Sequence, residues 1–496
     1  MNMFNISKLR KDEFKTIMYY VAVVTMILGI FMIIPIINTI IFKDHSKYLY
    51  SFIFSSITCI ISGLIIFFKS EPKNITNLSL KGSMLFVMLV WLFTAFFSAL
   101  PFIYSGDLSF IDAYFEAMSG ITSTGFTMYQ IKLLPYSIAM WRSLLQWFGG
   151  LGIIFLLVVI VPSSVSLKRL YFAEGKTEQM TPNIKHTAFN FIKVYLILTA
   201  IAVTAYILAG LSVFDAFCYS FTALGTGGFS ANPTNLNDFA NPLIQAITIM
   251  LMIMGGTNFL VHYRIIKKDY LNIHKDFELR AMFFLIIMAT LIISLNLYLS
   301  GFYNQNILEI LRHALFQVVS VLTSTGFSST DINLWTPLSY HILILLMFIG
   351  GCVCSTAGGI KIYNIGIMFK SLWWTIQQMF LPKNAVIKRK VFHDKVNREI
   401  SKREIQTIHV YIFLYLLMFI ISVTIVLFFC NDFQTTYSVV AASIGNTGLA
   451  PSYIGPDIPI LVKIVFIFDF WAGRIGIWPV LFPVMLFANK FSKKNR

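Results

Sequence analysis

Ten stretches of this chain are apolar for long enough to cross a lipid bilayer, and no other property limits its fold so tightly. A spanning helix needs about 20 predominantly apolar residues. Such runs occupy 17–42, 49–68, 83–104, 137–162, 188–211, 242–263, 280–301, 338–350 resuming after a break to 369, 406–430 and 459–489. In lipid every backbone N–H and C=O must be satisfied within the chain, so runs of this length become helices. With 57% hydrophobic and 12% charged residues over 496 positions, the composition excludes a water-soluble globule. The fold class expected is an all-α polytopic membrane protein. The run at 17–42 follows the basic stretch "SKLRKDEFK". It is too long for a secretory signal and has no small-residue cleavage site, so it is read as a retained helix.

The formal charge of +16 does not mark a nucleic-acid surface, because the basic residues gather in alternate segments between the runs. Lys8, Arg10, Lys11 and Lys15 lead in; Lys69, Lys73 and Lys81 follow; then Lys168, Arg169, Lys176 and Lys185; Arg264, Lys267, Lys268 and Lys275; Lys383 to Arg403; and Lys490 to Arg496. Ten spans put all six groups on one side, which the positive-inside rule makes cytoplasmic, with both termini there. Loops of the other side, "SANPTNLNDFANP" and "APSYIGPDIP", are acidic to neutral. Cys59, Cys218, Cys352, Cys354 and Cys430 have no metal-binding or disulfide spacing and are read as small core residues.

A short polar motif occurs four times: "ITSTGF" at 121–126, "LGTGGF" at 224–229, "LTSTGF" at 322–327 and "IGNTGL" at 444–449. Aligned on the last glycine, the copies put Gly125, Gly228, Gly326 and Gly448 in one column. Thr124, Gly227, Thr325 and Thr447 stand one position before, Ser123, Thr226, Ser324 and Asn446 two before, and Thr122, Gly225, Thr323 and Gly445 three before. The flanks repeat too. Upstream, "SFIDAYF" matches "SVFDAFC", with Asp112 and Asp215 in register and Asp432 placed similarly before the fourth copy. Downstream, Gly149-Gly150, Gly255-Gly256, Gly350-Gly351 and Ala472-Gly473 recur. Repetition of motif and flanks together marks tandem structural units.

About 12 residues precede each glycine motif, too few to cross, and their aspartates suit N-capping. Each is expected to enter the membrane as a half-helix and return as an extended strand, which is tolerated at membrane depth where it lines a cavity or is buried in protein. The expected organisation is two N-terminal transmembrane helices (1–80), pore repeat 1 (81–165), pore repeat 2 (186–270), pore repeat 3 with a broken second helix (277–382), a basic cytoplasmic loop (383–404) and pore repeat 4 (405–496), around a pseudo-fourfold pore.

Four such strands offer rings of backbone carbonyls and hydroxyls that can replace the water shell of a monovalent cation. Glycine permits the torsions that aim carbonyls inward, and the C-terminal dipole ends of the half-helices face the ion. The expected ion-binding filter comprises the sixteen residues of these four columns, with potassium favoured over sodium. No cofactor is expected; potassium is the substrate. Glycine at 225 and 227 leaves the second copy without hydroxyls in two columns, the weakest point of the fourfold equivalence.

The tandem units, "GGCVCSTAGGIK" in the third, Arg474 in "FWAGRIG" of the fourth, and "WRSLLQWFGGLGI" resemble the superfamily of Trk, Ktr and HKT potassium transporters. The two extra N-terminal spans are most similar to the TrkH type. The resemblance implies a gate beneath the filter, formed by an intramembrane loop (Gly351, Ser355, Thr356, Ala357, Gly358, Gly359, Lys361) and Arg474. Seven of the ten residues of "GGCVCSTAGG" are small or hydroxylated, a composition that cannot hold a stable helix. Arg474 lies mid-run, where a charge costs roughly 2.5 to 3.5 kcal/mol and must face a cavity or a partner; Asp469 is a candidate partner despite its poor spacing. Lys361 is equally readable as a snorkelling lysine at the cytoplasmic end. The resemblance also implies a homodimer and a peripheral cytosolic nucleotide-binding regulatory subunit of the TrkA type. Residues 383–404 are the expected contact, in a multi-pass protein of the bacterial inner membrane.

Two other classes are weighed. A sodium- or proton-coupled cation symporter would use discontinuous helices in inverted repeats, whereas these repeats are fourfold. Glu116 stands alone in its pore segment, and His186, His274, His393 and His409 lie beside basic segments, so no proton relay stands out. A membrane-embedded enzyme would need a polar catalytic cluster, and the sequence offers none.

Overall fold

Where an apolar run lacks small-residue interruptions it forms one spanning helix, and six of the ten runs do so. The computed structural model describes residues 11–70, 78–129, 134–152, 184–230, 241–270, 272–382, 387, 389–393, 396–449 and 453–480. The first span is α1 (Lys11–Phe31) with α2 (Ile33–Phe42), divided at Met32, where Pro35 has no N–H to offer the Phe31 carbonyl. The other unbroken spans are α3 (Ser46–Lys69), α4 (Leu80–Tyr104), α7 (Ile184–Leu208), α11 (Phe277–Leu299) and α15 (Lys402–Leu427). Among the described residues, each of the four repeats opens on one of the last four.

The remaining four runs differ from the expectation of a break in the third unit alone. The second helix also breaks in the second and fourth units, and in the first it ends at Leu151, the run beyond Gly152 lying outside the described residues. It is α6 (Tyr136–Leu151) in the first unit, α9 (Pro242–Gly256) and α10 (Phe259–Ile266) bent by 105° in the second, α13 (Pro337–Met347) in the third and α17 (Ile460–Ile475) in the fourth. The repeated small pair lets the second helix approach the pore helix closely in three of the units. A Cβ on Gly149 would lie 1.9 Å from the Ile121 carbonyl oxygen, one on Gly255 2.8 Å from that of Leu224, and one on Gly473 2.1 Å from that of Ile444. Those three carbonyls end the pore helices of the same units.

The pore helices are α5 (Phe110–Ile121), α8 (Val213–Leu224), α12 (Ile307–Leu322) and α16 (Phe433–Ile444). Each second helix packs against the pore helix of the next unit: α6 on α8, α9 on α12, α13 on α16, and α17 back on α5. The chain thus closes a four-membered ring. Helices α1 to α3 lie outside it against the first unit, through α4 and α6. The third unit continues past its break into α14 (Ile362–Phe380). The break is held by β1 (Ile349–Gly350) in parallel pairing with β2 (Ile360–Lys361), Ile349 opposite Ile360. Within the charged segment 383–404, β3 (Lys390–His393) and β4 (Val396–Glu399) form an antiparallel hairpin.

The continuation of the 137–162 run beyond Gly152, the basic residues Lys8, Arg10, Lys73, Lys168, Arg169 and Lys176, most of the loops at 231–240 and 450–452, residues 383–386 and the tail from 481 lie outside the described residues.

Candidate ion filter and gate

The pore helices start on polar caps, though not the expected ones. Ser109 Oγ accepts the Asp112 N–H at 3.3 Å and donates to Asp112 Oδ2 at 2.6 Å; Ser212 and Asp215 repeat this at 3.1 and 2.7 Å. Serine is the cap and the aspartate is its reciprocal partner three residues on. Only Asp432, in the register of those serines, caps by itself, accepting the N–H groups of Gln434 and Thr435 at 3.3 and 3.0 Å. The third pore helix, with 16 residues against 12 in the others, starts after Asn306 without a side-chain cap.

All four pore helices end alike. In the first copy the Ser123 N–H donates to the Gly120 carbonyl at 3.0 Å and the Thr124 N–H to that of Ser119 at 2.8 Å. The equivalent pairs recur at 3.2 and 2.9 Å for Thr226 and Gly227, 2.9 and 2.8 Å for Ser324 and Thr325, and 3.2 and 2.9 Å for Asn446 and Thr447. This is the Schellman arrangement, which requires a left-handed residue. Ser123, Thr226, Ser324 and Asn446 supply it with φ of 55, 50, 55 and 52°. The four glycines follow with φ of 94, 74, 83 and 63°. Their N–H groups turned toward the helix ends, the strands keep their carbonyls for other partners.

The four strands meet in cyclic order. A Cβ on Gly125 would lie 2.3 Å from the Gly227 carbonyl oxygen, on Gly228 2.1 Å from that of Thr325, on Gly326 1.9 Å from that of Thr447, and on Gly448 2.1 Å from that of Thr124. Each glycine thus faces the preceding column of the next copy, and the fourth closes on the first. The glycine is also the one residue of each tetrapeptide that is not buried. Phe126, Phe229, Phe327 and Leu449, one position later, are buried pegs. Phe126 packs on Phe470 at 5.5 Å between ring centroids, and Phe327 on Tyr219 at 6.0 Å. The four motifs named from sequence therefore meet around one axis, each ring glycine against a backbone carbonyl of the next copy.

Behind the strands lies a network of side-chain contacts. Thr122 and Thr124 pair their hydroxyls at 2.8 Å, and Thr323 and Thr325 theirs at 2.7 Å. Asn446 Nδ2 donates to the Thr124 hydroxyl at 2.8 Å and the Phe470 carbonyl at 2.9 Å, joining the fourth copy to the first. Buried Glu116 pairs with Arg142 at 2.7 Å and accepts from the Thr127 hydroxyl at 3.0 Å and the Met128 N–H at 2.7 Å. Arg142 reaches the Ser230 carbonyl at 3.3 Å and lies 4.0 Å from the Phe229 ring centroid. One ion pair thereby fixes the strands leaving the first two filter copies. The rule that singled out Arg474, that an intramembrane arginine needs a partner, would have found Arg142 as well. Glu116→Gln leaves that charge buried and is expected to destabilise the fold by about 3–5 kcal/mol. Thermal unfolding in detergent checks it; recovery in the double variant Glu116→Gln/Arg142→Met identifies the stranded charge as the cause.

The loop between β1 and β2 runs under two diagonally opposed copies. Thr356 Oγ1 donates to the Leu224 and Gly255 carbonyls, both at 2.9 Å, and receives the Thr226 hydroxyl at 3.1 Å. Gly351 lies on the same side, where an added Cβ would stand 2.5 Å from the Gly256 carbonyl oxygen, and across the ring a Cβ on Gly358 would lie 2.5 Å from Asn446 Oδ1. Ser355 Oγ donates to the Cys352 carbonyl, and Gly359 is left-handed at φ 65°. Buried Glu278 ties the loop at both ends, accepting the Val353 N–H at 2.6 Å and the Tyr363 N–H at 3.3 Å. At the same helix start, Asp276 meets His393 of the hairpin at 3.0 Å.

Arg474 donates to the Thr356 carbonyl and to that of Gly149, so it links the loop to the first unit. Asp469 is not its partner. That carboxylate is buried among hydroxyls, accepting from Ser422 at 2.8 Å and Ser443 at 3.0 Å, because five residues along a helix turn it to another face. Lys361 folds back, its ammonium donating to the Ala357 carbonyl of the loop.

Four half-helices delivering four glycine strands to one axis define a pore-loop membrane protein. The chain belongs to the TrkH family of cation transport proteins, whose family model matches residues 49–494. It is 30% identical to an uncharacterized cation transporter of Methanocaldococcus jannaschii over 99% of both chains. It is also 30% identical to the Trk system potassium uptake protein TrkH of Escherichia coli, over 97% of this chain and 99% of that one. The crystal structure of the potassium transporter TrkH from Vibrio parahaemolyticus superposes with a TM-score of 0.84 at 28% identity, covering 94% of this chain and 98% of that one.

Proposed function

We propose that this chain takes up potassium across the cell membrane through a channel-like, gated pore driven by the membrane potential. The sixteen residues of the four glycine motifs form its selectivity filter, and Gly351, Ser355 to Gly359, Lys361 and Arg474 form its gate. The observation that carries the reading is the closed cycle in which Gly125, Gly228, Gly326 and Gly448 each abut a carbonyl of the next copy. Such a ring replaces a potassium hydration shell without any carboxylate. The acidic groups that a proton-coupled symporter would need are already engaged: Glu116 with Arg142, and Asp469 with two serine hydroxyls. The names of the Escherichia coli and Vibrio relatives support potassium as the ion.

In this reading both termini are cytoplasmic, and the chain works as a homodimer with a cytosolic nucleotide-binding subunit. The hairpin of residues 390–399 sits on the same helix start that holds the gate loop, which suits it to receive that subunit. Expression in cells lacking their own potassium uptake tests the function. Growth should return in low-potassium medium and should not depend on added sodium; growth that requires sodium identifies a symporter.

A further inference from the structure

In the column before the ring glycines, three copies carry threonine and the second carries Gly227. Backbone conformation does not demand this glycine. Gly227 lacks the left-handed φ of Gly125, Gly228, Gly326 and Gly448, and its counterparts are β-branched. What excludes a side chain is Gln146 of α6, in the neighbouring unit: a Cβ on Gly227 would lie 2.3, 2.5 and 2.6 Å from the Gln146 side-chain Cδ, Oε1 and Nε2. The same helix closes the second gap, since a Cβ on Gly225 would lie 2.6 Å from the Gln146 carbonyl oxygen.

The fully buried Gln146 amide does more than fill space. Its Nε2 donates to the Gly227 carbonyl at 2.7 Å, and its Oε1 accepts the Phe229 N–H at 3.0 Å. It therefore pairs with the backbone on both sides of the ring glycine Gly228, as a neighbouring strand would. In the first and third copies the threonine hydroxyl pairs occupy the corresponding space. Among the described residues, the carbonyls of Thr124, Thr325 and Thr447 accept no hydrogen bond. The Gly227 carbonyl of the same ring does.

We propose that Gln146 is a specificity-determining positioning residue, a side chain from the first unit that takes the place of the missing threonines of the second filter copy. It fixes the radius at which the Gly227 carbonyl stands and makes that ring unequal, with three open carbonyls and one shared with an amide donor. This inference rests on the filter reading given above.

The test uses the purified full chain in liposomes and reads the potassium-to-sodium permeability ratio together with the melting temperature. Gln146→Ala should lower the ratio by about five- to tenfold, the weight of one neutral hydrogen bond. Gln146→Leu, which keeps the volume without the donor, should lower it likewise and serves if the alanine variant does not fold. Gly227→Thr alone should abolish transport by collision with Gln146, and Gln146→Ala/Gly227→Thr should recover transport, melting temperature and the potassium-to-sodium ratio, because threonine already fits this column in three copies. Reciprocal rescue is an outcome that a merely structural Gln146 would not give in the ratio. An unchanged ratio in both Gln146 variants, or a double variant no better than Gly227→Thr, overturns the proposal. A wild type that conducts no potassium, or sodium equally well, overturns the filter reading instead.

Discussion

Gly326→Ala is expected to cut potassium flux by about five- to a hundredfold while leaving the protein folded in the membrane. Gly326 has φ of 83°, and its added methyl would stand 1.9 Å from the Thr447 carbonyl oxygen. The left-handed strain costs about 1–2 kcal/mol, and a carbonyl forced off its ligand position loses about 1–3 kcal/mol. Each 1.4 kcal/mol is a factor of ten, so the displaced carbonyl lowers flux by about five- to a hundredfold, and the strain lowers stability. Gly301 is the control, with φ of 75° and open space around it. Gly301→Ala should lose stability through strain alone and keep its flux, as measured by tracer uptake and thermal unfolding. Equal flux loss in both variants would assign the effect to strain rather than to the ring.

Arg474→Ala is expected to act in the opposite direction, raising potassium flux about tenfold. The guanidinium holds the Thr356 carbonyl of the loop and the Gly149 carbonyl of the first unit together, and in the proposed pore it places a positive charge under the cation path. A hydrogen bond to a charged donor contributes about 1.5–3 kcal/mol, so losing one shifts the loop toward opening by about a decade or more. Lysine is no substitute, since a single ammonium lacks the planar fork that spans two carbonyls. Single-channel or tracer flux at matched expression decides it. Flux that is unchanged or lower shows that Arg474 braces the pore rather than closing it.

The four units and the columns of their glycine motif were legible because their requirement is local: glycine where the backbone is left-handed, hydroxyls beside it, a half-helix before it. The small pair downstream was legible as a repeat, but its consequence was not. That Gly149, Gly255 and Gly473 each abut the end of their own pore helix is a matter of packing between segments far apart in sequence. The left-handed Ser123, Thr226, Ser324 and Asn446 were hidden because such residues do not announce that conformation, which the helix-end hydrogen bonds impose. The roles of Gln146 and Arg142 come from neighbours in other segments, Gly227 and Glu116. Asp469 was misassigned for the converse reason: closeness along a helix says little about which face a side chain takes.

The central claim is that the glycine ring conducts potassium down its electrochemical gradient with no second ion moving. The direct measurement is tracer accumulation by the purified chain in liposomes under an imposed potential of about 100 mV, inside negative, with no sodium or proton gradient. One unit charge then gains about 2.3 kcal/mol. Potassium should accumulate up to about fiftyfold and sodium far less. Accumulation that appears only when a sodium or proton gradient is added, or sodium accumulating as well as potassium, would contradict the claim.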